Sequence, residues 1–357
     1  MSKRILRKRE LLDIIQGATF LGTGGGGSPK SGGVLVEGFL SGKEVELVSV
    51  DEVEDGARIV VAAGMGAPEV LLKRGWSRET VDALNALEKV TGEKFDYVIP
   101  IETGGFNSIT PMTITVEKGI PTIDADGAGR AIPELQQTMF CINNIPISPT
   151  ALADNTNIWV VINAEDPFKM EDLARAVTTE LGMQAGIVCH IMSGKEMKKV
   201  VITGTISKAE EVGKAIREAK EANKDPVEAV LGIVGGFVLG KGTVTNVSTE
   251  TKGGFDFGKT TIEGDGRTIR IDYKNENMLA WKDGRLVAMV PDGICYISLD
   301  GQPLTNADIE KGMDVAVIGI KAPDEWRVPA GFDVFRRVLE ALGYRGEYKK
   351  IEELNKK

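Results

Sequence analysis

The chain has 357 residues, 42% of them hydrophobic and 27% charged, and a formal net charge of −9. This length predicts two domains, or one large domain, with enough residues for a core of their own. The negative balance argues against a nucleic-acid binder, because the only basic run, Lys3 to Arg9, is short and does not supply the clustered Lys and Arg that phosphate neutralisation demands. No stretch approaches the roughly 18 apolar residues of a membrane span, so we expect no membrane association and a cytoplasmic location.

Cysteine and histidine are scarce, which limits the chemistry that the chain can carry. Cys141, Cys189 and Cys295 lie far apart in the sequence, which fits a reducing compartment and argues against a disulfide framework or a zinc ribbon. His190 is the only histidine, and a metal site built on two or three histidines is therefore excluded. Because His190 lies in an apolar stretch, we interpret it as a core residue. Acid–base chemistry then depends mainly on carboxylates, Lys, Tyr or water.

The first predicted element is a helix over residues 7–20, followed by the glycine-rich run 22–33. Four consecutive glycines, Gly24 to Gly27, indicate a backbone that needs positive φ angles or a close approach by another group. Such a loop can direct its N–H groups at an anion. A nucleotide-binding loop requires a strand before the glycines, whereas here a helix precedes them. We favour a substrate-contacting loop, with a structural turn and a nucleotide-binding loop as alternatives.

The pattern after the glycines alternates between buried strands, loops and helices through residue 165, and this alternation predicts an α/β domain with a mainly parallel sheet. Further strands and helices follow it. The predicted strands are 34–39, 44–48, 57–63, 97–101, 121–124, 158–162 and 186–192. The predicted helices are 77–91, 169–182, 193–201, 207–222 and 226–231, with 109–118 either helical or extended.

From Gly235 the pattern changes to short strands separated by tight turns such as Asp283-Gly284, which predicts a mostly-β domain. A helix over 332–342 and a frayed charged tail over 349–357 end the chain. We therefore divide it into an α/β domain with the glycine-rich loop (1–165), an α/β continuation (166–238), a mostly-β domain (239–330), and a C-terminal helix and tail (331–357).

Loops at strand and helix ends carry the candidate site residues, because a parallel sheet brings such loops to one edge. These loops are 22–33, 64–69, 102–107 and 124–134. If they converge, Glu102, Asp124 and Asp126 form an acidic cluster beside Arg130, with Asn107 as a neutral donor. Neighbouring carboxylates repel one another, so at least one of them has a raised pKa and can act as base or acid.

Two other interpretations of the same cluster stay open. Asp124 and Asp126 can instead cap the local backbone, with Arg130 as their structural ion-pair partner. A divalent metal on the carboxylates is the second alternative, although the sequence requires no cofactor. In the functional interpretation, the planar guanidinium of Arg130 holds a carboxylate or a developing anion.

Several motifs together resemble one protein family, the S-methyl thiohydantoin desulfurase-like proteins. The motifs are Leu21-Gly22-Thr23-Gly24-Gly25-Gly26-Gly27, residues 102–107 with Pro111, Asp124-Ala125-Asp126-Gly127-Ala128-Gly129-Arg130-Ala131-Ile132-Pro133-Glu134-Leu135, Thr251-Lys252-Gly253-Gly254-Phe255, Asn275-Glu276-Asn277 and Val290-Pro291-Asp292. The resemblance covers nearly the full length. It implies an α/β domain followed by a β-rich domain, a five-membered cyclic imide-like substrate, and association with hydantoinase and oxoprolinase genes.

We hypothesise a hydrolase of a hydantoin-type or S-methyl thiohydantoin-type ring. In this hypothesis a carboxylate at Asp124, Asp126 or Glu102 activates water, and Arg130 anchors the substrate. N–H groups of the glycine loop stabilise the negative adduct. The substrate-binding residues are Gly24, Gly25, Gly26, Gly27, Asn107 and Glu134. The alternatives are a non-catalytic accessory subunit of a hydantoinase or oxoprolinase, and a nucleotide-dependent enzyme. The sequence is also compatible with a homo-oligomer.

Overall fold

The computed structural model describes residues 3–66 and 68–356. Its strands are β1 (Arg4–Leu6), β2 (Val45–Val48), β3 (Arg58–Gly66), β4 (Tyr97–Pro100), β5 (Thr122–Ile123), β6 (Ala125–Asp126), β7 (Thr150–Ala153), β8 (Trp159–Ile162), β9 (Gln184–Ser193), β10 (Ile202–Thr203), β11 (Phe237–Lys252), β12 (Phe255–Gly264), β13 (Arg267–Lys274), β14 (Glu276–Lys282), β15 (Arg285–Met289), β16 (Gly293–Ser298), β17 (Pro303–Leu304) and β18 (Asp314–Ile320). Its helices are α1 (Lys8–Leu21), α2 (Pro29–Glu37), α3 (Pro68–Arg74), α4 (Glu79–Thr91), α5 (Met112–Lys118), α6 (Met139–Ile142), α7 (Pro167–Glu180), α8 (Gly194–Val200), α9 (Thr205–Glu221), α10 (Pro226–Val234), α11 (Pro329–Ala341) and α12 (Ile351–Leu354).

The first sheet has the strand order β1-β2-β5-β4-β3-β9-β7-β8. Its centre, β2-β5-β4-β3, is parallel, and antiparallel strands extend it on both sides. Ile59, Val60 and Val61 of β3 are all fully buried, as expected for a strand that is covered on both faces. The carboxyl ends of β3 and β4 lie side by side, and the loop that follows β4 begins with Ile101 and Glu102.

The second sheet has the order β15-β14-β13-β12-β11-β18-β16-β17, and every pairing in it is antiparallel. A tight turn through Asn275, which has a positive φ of 54°, joins β13 to β14 and places Glu276 at the start of β14. The predicted organisation, an α/β domain followed by a mostly-β domain, is therefore confirmed.

Helix α1 lies between the two sheets. Its residues Leu11 and Ile14 pack in a core cluster of the first domain, whereas Phe20, near its end, packs with Cys295 and Ile297 of β16. Close contact with α9 holds α1 in place. A Cβ atom added at Gly17 would lie 1.8 Å from the carbonyl oxygen of Ala209. The glycine-rich loop that follows α1 therefore emerges where the two domains meet.

The prediction of a strand over residues 34–39 is wrong, because residues 34–37 belong to α2 and a turn follows them. Ser28 caps the helix by accepting a hydrogen bond from the Ser31 N–H, and Pro29 occupies the first turn, where its missing N–H costs nothing. A Cβ atom at Gly32 would lie 2.3 Å from the carbonyl oxygen of Gly105. Gly32 therefore serves close packing inside a helix and is not part of a loop.

Other parts of the chain also differ from the prediction. The tail predicted to be frayed contains α12, and Ile351 at its start is fully buried. Part of the predicted loop 64–69 is the end of β3, while Ala67 and the side chains of Pro68 and Glu69 lie outside the described residues. No helix in the described ranges is both long and apolar enough to cross a membrane.

The α1–α9 contact makes the first testable prediction. Gly17→Ala places a methyl group against the backbone of α9, and we expect it to lower the free energy of unfolding by about 1–3 kcal/mol. The matched control is Gly33→Ala in α2, where no atom lies within 4 Å of the added carbon; we expect this change to be neutral or to stabilise by up to about 1 kcal/mol. Urea unfolding of both variants measures the difference, and equal effects would contradict the close contact.

Candidate active site

A cavity of about 580 Å³ lies between the two domains. The first domain contributes the glycine-rich loop, the ends of β3 and β4, and residues 132–135. The second domain contributes residues of β11 and β13, the Asn275–Glu276 turn and residues 305–309. A separate surface depression near Glu54 and Tyr97 lies at the opposite, amino ends of β3 and β4. The loops predicted to converge therefore do meet, and they meet at a surface that the second domain closes.

The glycine-rich loop is tied to both domains through its carbonyl groups. The carbonyl oxygens of Thr23 and Gly24 accept hydrogen bonds from the backbone N–H groups of Asn277 and Asn306, each at 2.8 Å. The carbonyl oxygen of Gly26 accepts one from the Phe106 N–H at 3.1 Å. The loop is thus held rigidly in the wall of the cavity.

The N–H groups of this loop differ from its carbonyl groups in their hydrogen bonding. Among the described residues, those of Gly26 and Gly27 donate to no acceptor, and both residues line the cavity. The loop leads directly into the amino end of α2, where the helix dipole also favours negative charge. Positive φ angles of 70° at Gly26 and 84° at Gly27 explain why glycine is needed at both positions. The loop therefore offers free donors to an anion in the cavity.

Glu102 is a buried carboxyl that lines the cavity. Its Oε1 accepts a hydrogen bond from Asn107 Nδ2 at 2.6 Å, and its Oε2 accepts one from the Ile132 N–H at 2.7 Å. Asn107 is itself fixed, because its Oδ1 accepts from the Gly64 N–H at 2.9 Å. Burial raises the pKa of Glu102 to about 7, against the lowering effect of these hydrogen bonds. Glu102 is therefore oriented, and it changes protonation close to neutral pH.

Glu276 brings a second carboxyl to the cavity from the other domain. Burial raises its pKa well above the ordinary value, and the negative charge of Glu102 raises it further, whereas Arg130 lowers it. Its Oε2 is buried without a hydrogen-bond partner. Gly25 gives way to this side chain, because a Cβ atom there would lie 2.0 Å from Glu276 Oε1. The cavity therefore holds two carboxyls, and burial favours the protonated form of Glu276.

Arg130 lies behind the cavity wall and does not line the cavity. Its Nε donates to the Ala131 carbonyl, and its two terminal nitrogens donate to Thr23 Oγ1 and to three carbonyl oxygens of the second domain, at 2.9 to 3.3 Å. These bonds engage all five N–H donors of the guanidinium. Burial lowers the pKa of Arg130 to about 10, so the group remains charged at neutral pH. Arg130 joins the domains and has no donor left for a substrate.

Asp124 and Asp126 also lie outside the cavity lining. Asp126 is buried and accepts hydrogen bonds from Thr103 Oγ1 and from the N–H groups of Ala128 and Gly129. Asp124 accepts two hydrogen bonds from Ser207, one from its N–H and one from its hydroxyl. Besides burial, the negative charge of Asp126 raises the pKa of Glu102, but neither aspartate lines the cavity where a substrate could reach it. Both make the backbone and capping contacts of the structural alternative.

Glu134 lines the cavity and pairs with the buried Lys274. Its other oxygen accepts from Gln136 Nε2 at 2.6 Å and from Gln137 Nε2 at 3.2 Å. The ammonium of Lys274 also stacks 3.6 Å from the centre of the Phe255 ring. Glu134 is thus fully occupied by protein partners, although it remains part of the wall.

Aromatic and apolar side chains form the wall beside Glu102. The rings of Trp76 and Phe106 meet edge to face with their centres 5.0 Å apart. Gly64 makes room for them, because a Cβ atom there would lie 2.5 Å from Phe106 Cε1.

In residues 3–66 and 68–356, no group of three or more His, Cys, Asp or Glu side chains is arranged to hold a metal ion.

Comparison with known proteins adds the family. The model of the S-Me-THD-like N-terminal domain matches residues 9–164, and that of the S-Me-THD-like C-terminal domain matches residues 165–351. The chain belongs to the S-Me-THD-like family. The crystal structure of a protein from Chromobacterium violaceum is similar to this S-Me-THD-like chain, with a TM-score of 0.86 and 27% sequence identity over 98% of this chain and 100% of that one. A search of curated proteins finds no significant match.

Of the candidate residues named from the sequence of this S-Me-THD-like protein, the cavity is lined by Gly24, Gly25, Gly26, Gly27, Glu102, Asn107 and Glu134. Sequence reasoning singled out the motif Asn275-Glu276-Asn277 but named neither Glu276 nor Asn306 as a site residue. Glu276 carried a signal, since this motif places a carboxyl between two turn-forming residues in the β domain. Asn306 carried none, because its position depends on the fold of both domains.

Arg130 generates the second prediction. Arg130→Met removes hydrogen bonds that join both domains and leaves their carbonyl oxygens unpaired, so we expect a loss of at least about 3 kcal/mol in the free energy of unfolding. Arg267→Met removes an exposed arginine that pairs with Asp283 at 2.8 Å, and we expect a loss below about 1 kcal/mol. Denaturant unfolding gives both values. A small change in the unfolding free energy of Arg130→Met would mean that the association of the two domains does not depend on these hydrogen bonds.

The third prediction concerns pH. Because the pKa of Glu102 rises from 4.5 to about 7 on folding, the folded S-Me-THD-like protein holds this proton more tightly than the unfolded chain. Its stabilising effect is complete below pH 4.5 and is lost as the pH rises through 7. We expect the stability of the wild type relative to Glu102→Gln to fall by on the order of 3 kcal/mol between pH 4.5 and pH 8.

The control for this pH dependence is Glu353→Gln, which changes an exposed carboxyl. Unfolding free energies of the three proteins, measured across the same pH range, give the comparison. If the wild type and Glu102→Gln respond to pH in parallel, Glu102 does not take up a proton on folding.

Proposed function

We propose that this protein hydrolyses a five-membered cyclic imide-like ring of the hydantoin or S-methyl thiohydantoin type. The observation that carries the proposal is Glu102, a buried carboxyl in the cavity wall that is oriented by Asn107 and has a pKa of about 7. A carboxyl that titrates near neutral pH takes and returns protons efficiently. Membership of the S-Me-THD-like family supports the choice of ring.

The proposed reaction on an S-methyl thiohydantoin begins with the addition of water. Ionised Glu102 takes a proton from the water, whose oxygen bonds to the ring carbon that carries the S-methyl group. The electron pair of the C=N bond moves to the ring nitrogen. Negative charge develops there, and the free N–H groups of Gly26 and Gly27 supply stabilising donors. Protonated Glu276 then transfers a proton to that nitrogen.

The second step expels the sulfur. The C–S bond breaks as the C=O bond forms, and methanethiolate takes the proton held by Glu102. The hydroxyl proton of the adduct passes to Glu276 and restores its protonated state. One proton of the water thus reaches sulfur through Glu102, and the other replaces the proton that Glu276 gave to nitrogen. The products are the hydantoin and methanethiol, and both carboxyls return to their starting states. The two carboxyls have separate tasks because burial and mutual repulsion hold their pKa values apart.

The fourth prediction tests these roles with an S-methyl thiohydantoin as substrate. Release of methanethiol, followed with a thiol reagent, gives the rate. Glu102→Gln cannot accept a proton, and we expect it to lower kcat by roughly 10²- to 10⁴-fold. Asp124→Asn changes a carboxylate that contacts Ser207 outside the cavity, and we expect its kcat to stay within about threefold of the wild type.

For the wild type, kcat/KM is expected to rise with pH through about 7 as Glu102 ionises. Full activity of Glu102→Gln would overturn its assignment as the base. If the wild type turns over no ring alone but does so when mixed with a hydantoinase, the accessory-subunit interpretation replaces the proposal.

A further inference from the structure

The side-chain amide of Asn306 has a fixed orientation. Asn277 Nδ2 donates to the carbonyl oxygen of Ile294 at 2.8 Å, and so Asn277 Oδ1 faces Asn306 as an acceptor. Asn306 Nδ2 donates to this Oδ1 at 2.9 Å and to the carbonyl oxygen of Asn275 at 2.7 Å. Exchanging the oxygen and nitrogen of Asn306 would set oxygen against oxygen at both contacts. The oxygen must therefore point away from them.

This oxygen, Asn306 Oδ1, is buried and has no hydrogen-bond partner among the described residues. Asn306 lines the cavity, as does Glu276, whose Oε2 is also buried without a partner. The two residues are neighbours in space, because Asn306 bonds to the carbonyl of Asn275, the residue before Glu276. Trp76 Nε1 and Gln184 Oε1, on two other lining residues, are also buried without a partner in the part of the chain that the structure describes. Unsatisfied buried polar atoms are costly, and several in one cavity wall indicate a ligand that supplies missing partners.

We propose that Asn306 Oδ1 accepts a hydrogen bond from a ring N–H of the substrate and thereby selects five-membered rings with a free N–H. This inference rests on the proposed function, since it names the class of ring that the same cavity binds. Beside Asn306, the carboxyl of Glu276 supplies a donor when it is protonated, the form that its burial favours. An acceptor next to a donor matches the N–H and C=O edge of a cyclic imide, amide or thiohydantoin. A lactone, or a ring methylated at that nitrogen, lacks the donor.

The position of Asn306 depends on the glycine-rich loop. Its backbone N–H donates to the Gly24 carbonyl at 2.8 Å, and a Cβ atom at Gly24 would lie 2.6 Å from Asn306 Nδ2. Gly24 therefore leaves the space in which the amide lies. The loop that supplies donors through Gly26 and Gly27 also supports the acceptor at Asn306. Ring recognition and charge stabilisation thus share one support.

The fifth prediction is tested by binding alone, without turnover. Isothermal titration of the full-length protein with hydantoin, 1-methylhydantoin and 3-methylhydantoin gives three dissociation constants. We expect at least one methylated ring to bind the wild type roughly tenfold or more weakly than hydantoin, because it leaves Asn306 Oδ1 unpaired. In Asn306→Ala this discrimination should shrink to about twofold or less.

A second variant separates recognition from a structural role. Asn306→Asp keeps an acceptor oxygen but loses the donor that bonds to Asn275 and Asn277. If Oδ1 reads the ring N–H, Asn306→Asp discriminates between hydantoin and its methylated forms and Asn306→Ala does not. If the residue serves structure only, both variants lose thermal stability and keep the wild-type ratio of dissociation constants, which overturns the inference.

The outcome for the wild type distinguishes this inference from the function on which it rests. Equal binding of hydantoin and both methylated rings overturns the selection by Asn306 and leaves the ring-hydrolase proposal standing. Binding of no ring overturns both. Catalysis enters none of these measurements, so a failure of Glu102 as the base does not affect the result.

Discussion

The site depends on one buried charge, the guanidinium of Arg130. Its hydrogen bonds reach Thr23 in the glycine-rich loop and Ala131 in the loop after β6. They also reach three backbone carbonyl groups of the second domain, those of Asn277, Pro291 and Asp292. A buried cation is tolerated only when every donor has a partner, and here carbonyl oxygens provide most of them. Its positive charge also opposes the mutual repulsion of Glu102 and Glu276. Arg130 thereby helps two carboxyls to share one cavity, although Arg130 itself does not line that cavity.

The carboxyls are drawn from different domains, and this separates their protonation behaviour. Glu102 has two hydrogen bonds that favour its ionised form, whereas one oxygen of Glu276 has no partner. The same burial therefore has unequal consequences: Glu102 titrates near neutral pH and Glu276 well above its ordinary range. The difference in hydrogen bonding thus accompanies a difference in protonation behaviour between the two carboxyls.

Much of the fold was readable from local pattern. Strands such as β3 and β4 are continuous apolar runs, and amphipathic α4 and α9 show the helical period, so their existence follows from burial alone. The strand predicted over 34–39 failed because Val34, Leu35 and Val36 favour strand by composition, while the cap at Ser28 and Pro29 determines a helix. Gly32 was likewise assigned to a loop, whereas the position requires glycine because the Gly105 backbone packs closely against it. Tertiary contacts of this kind leave no trace in the local sequence.

Only part of the site was predictable from the sequence. Loops at the carboxyl ends of parallel strands converge, which placed Glu102 and Asn107 near the glycine-rich loop. The sequence does not say which way a side chain at a strand end points. Asp124 and Asp126 lie next to the site in the chain, yet they turn to Ser207 and to local N–H groups. Glu276 and Asn306 come from the other domain, and only the packing of the two domains shows that they line the same cavity.

The order of synthesis gives the joint at Arg130 a further consequence. Arg130 and its partner Pro291 are 161 residues apart, so a ribosome releases the first domain long before the carbonyl oxygens that complete this network exist. Until then the arginine keeps its hydration, and the glycine-rich loop lacks its bonds to Asn277 and Asn306. The edge of the first domain that faces the cavity therefore stays hydrated during synthesis, and the cavity can close only once the second domain has been made.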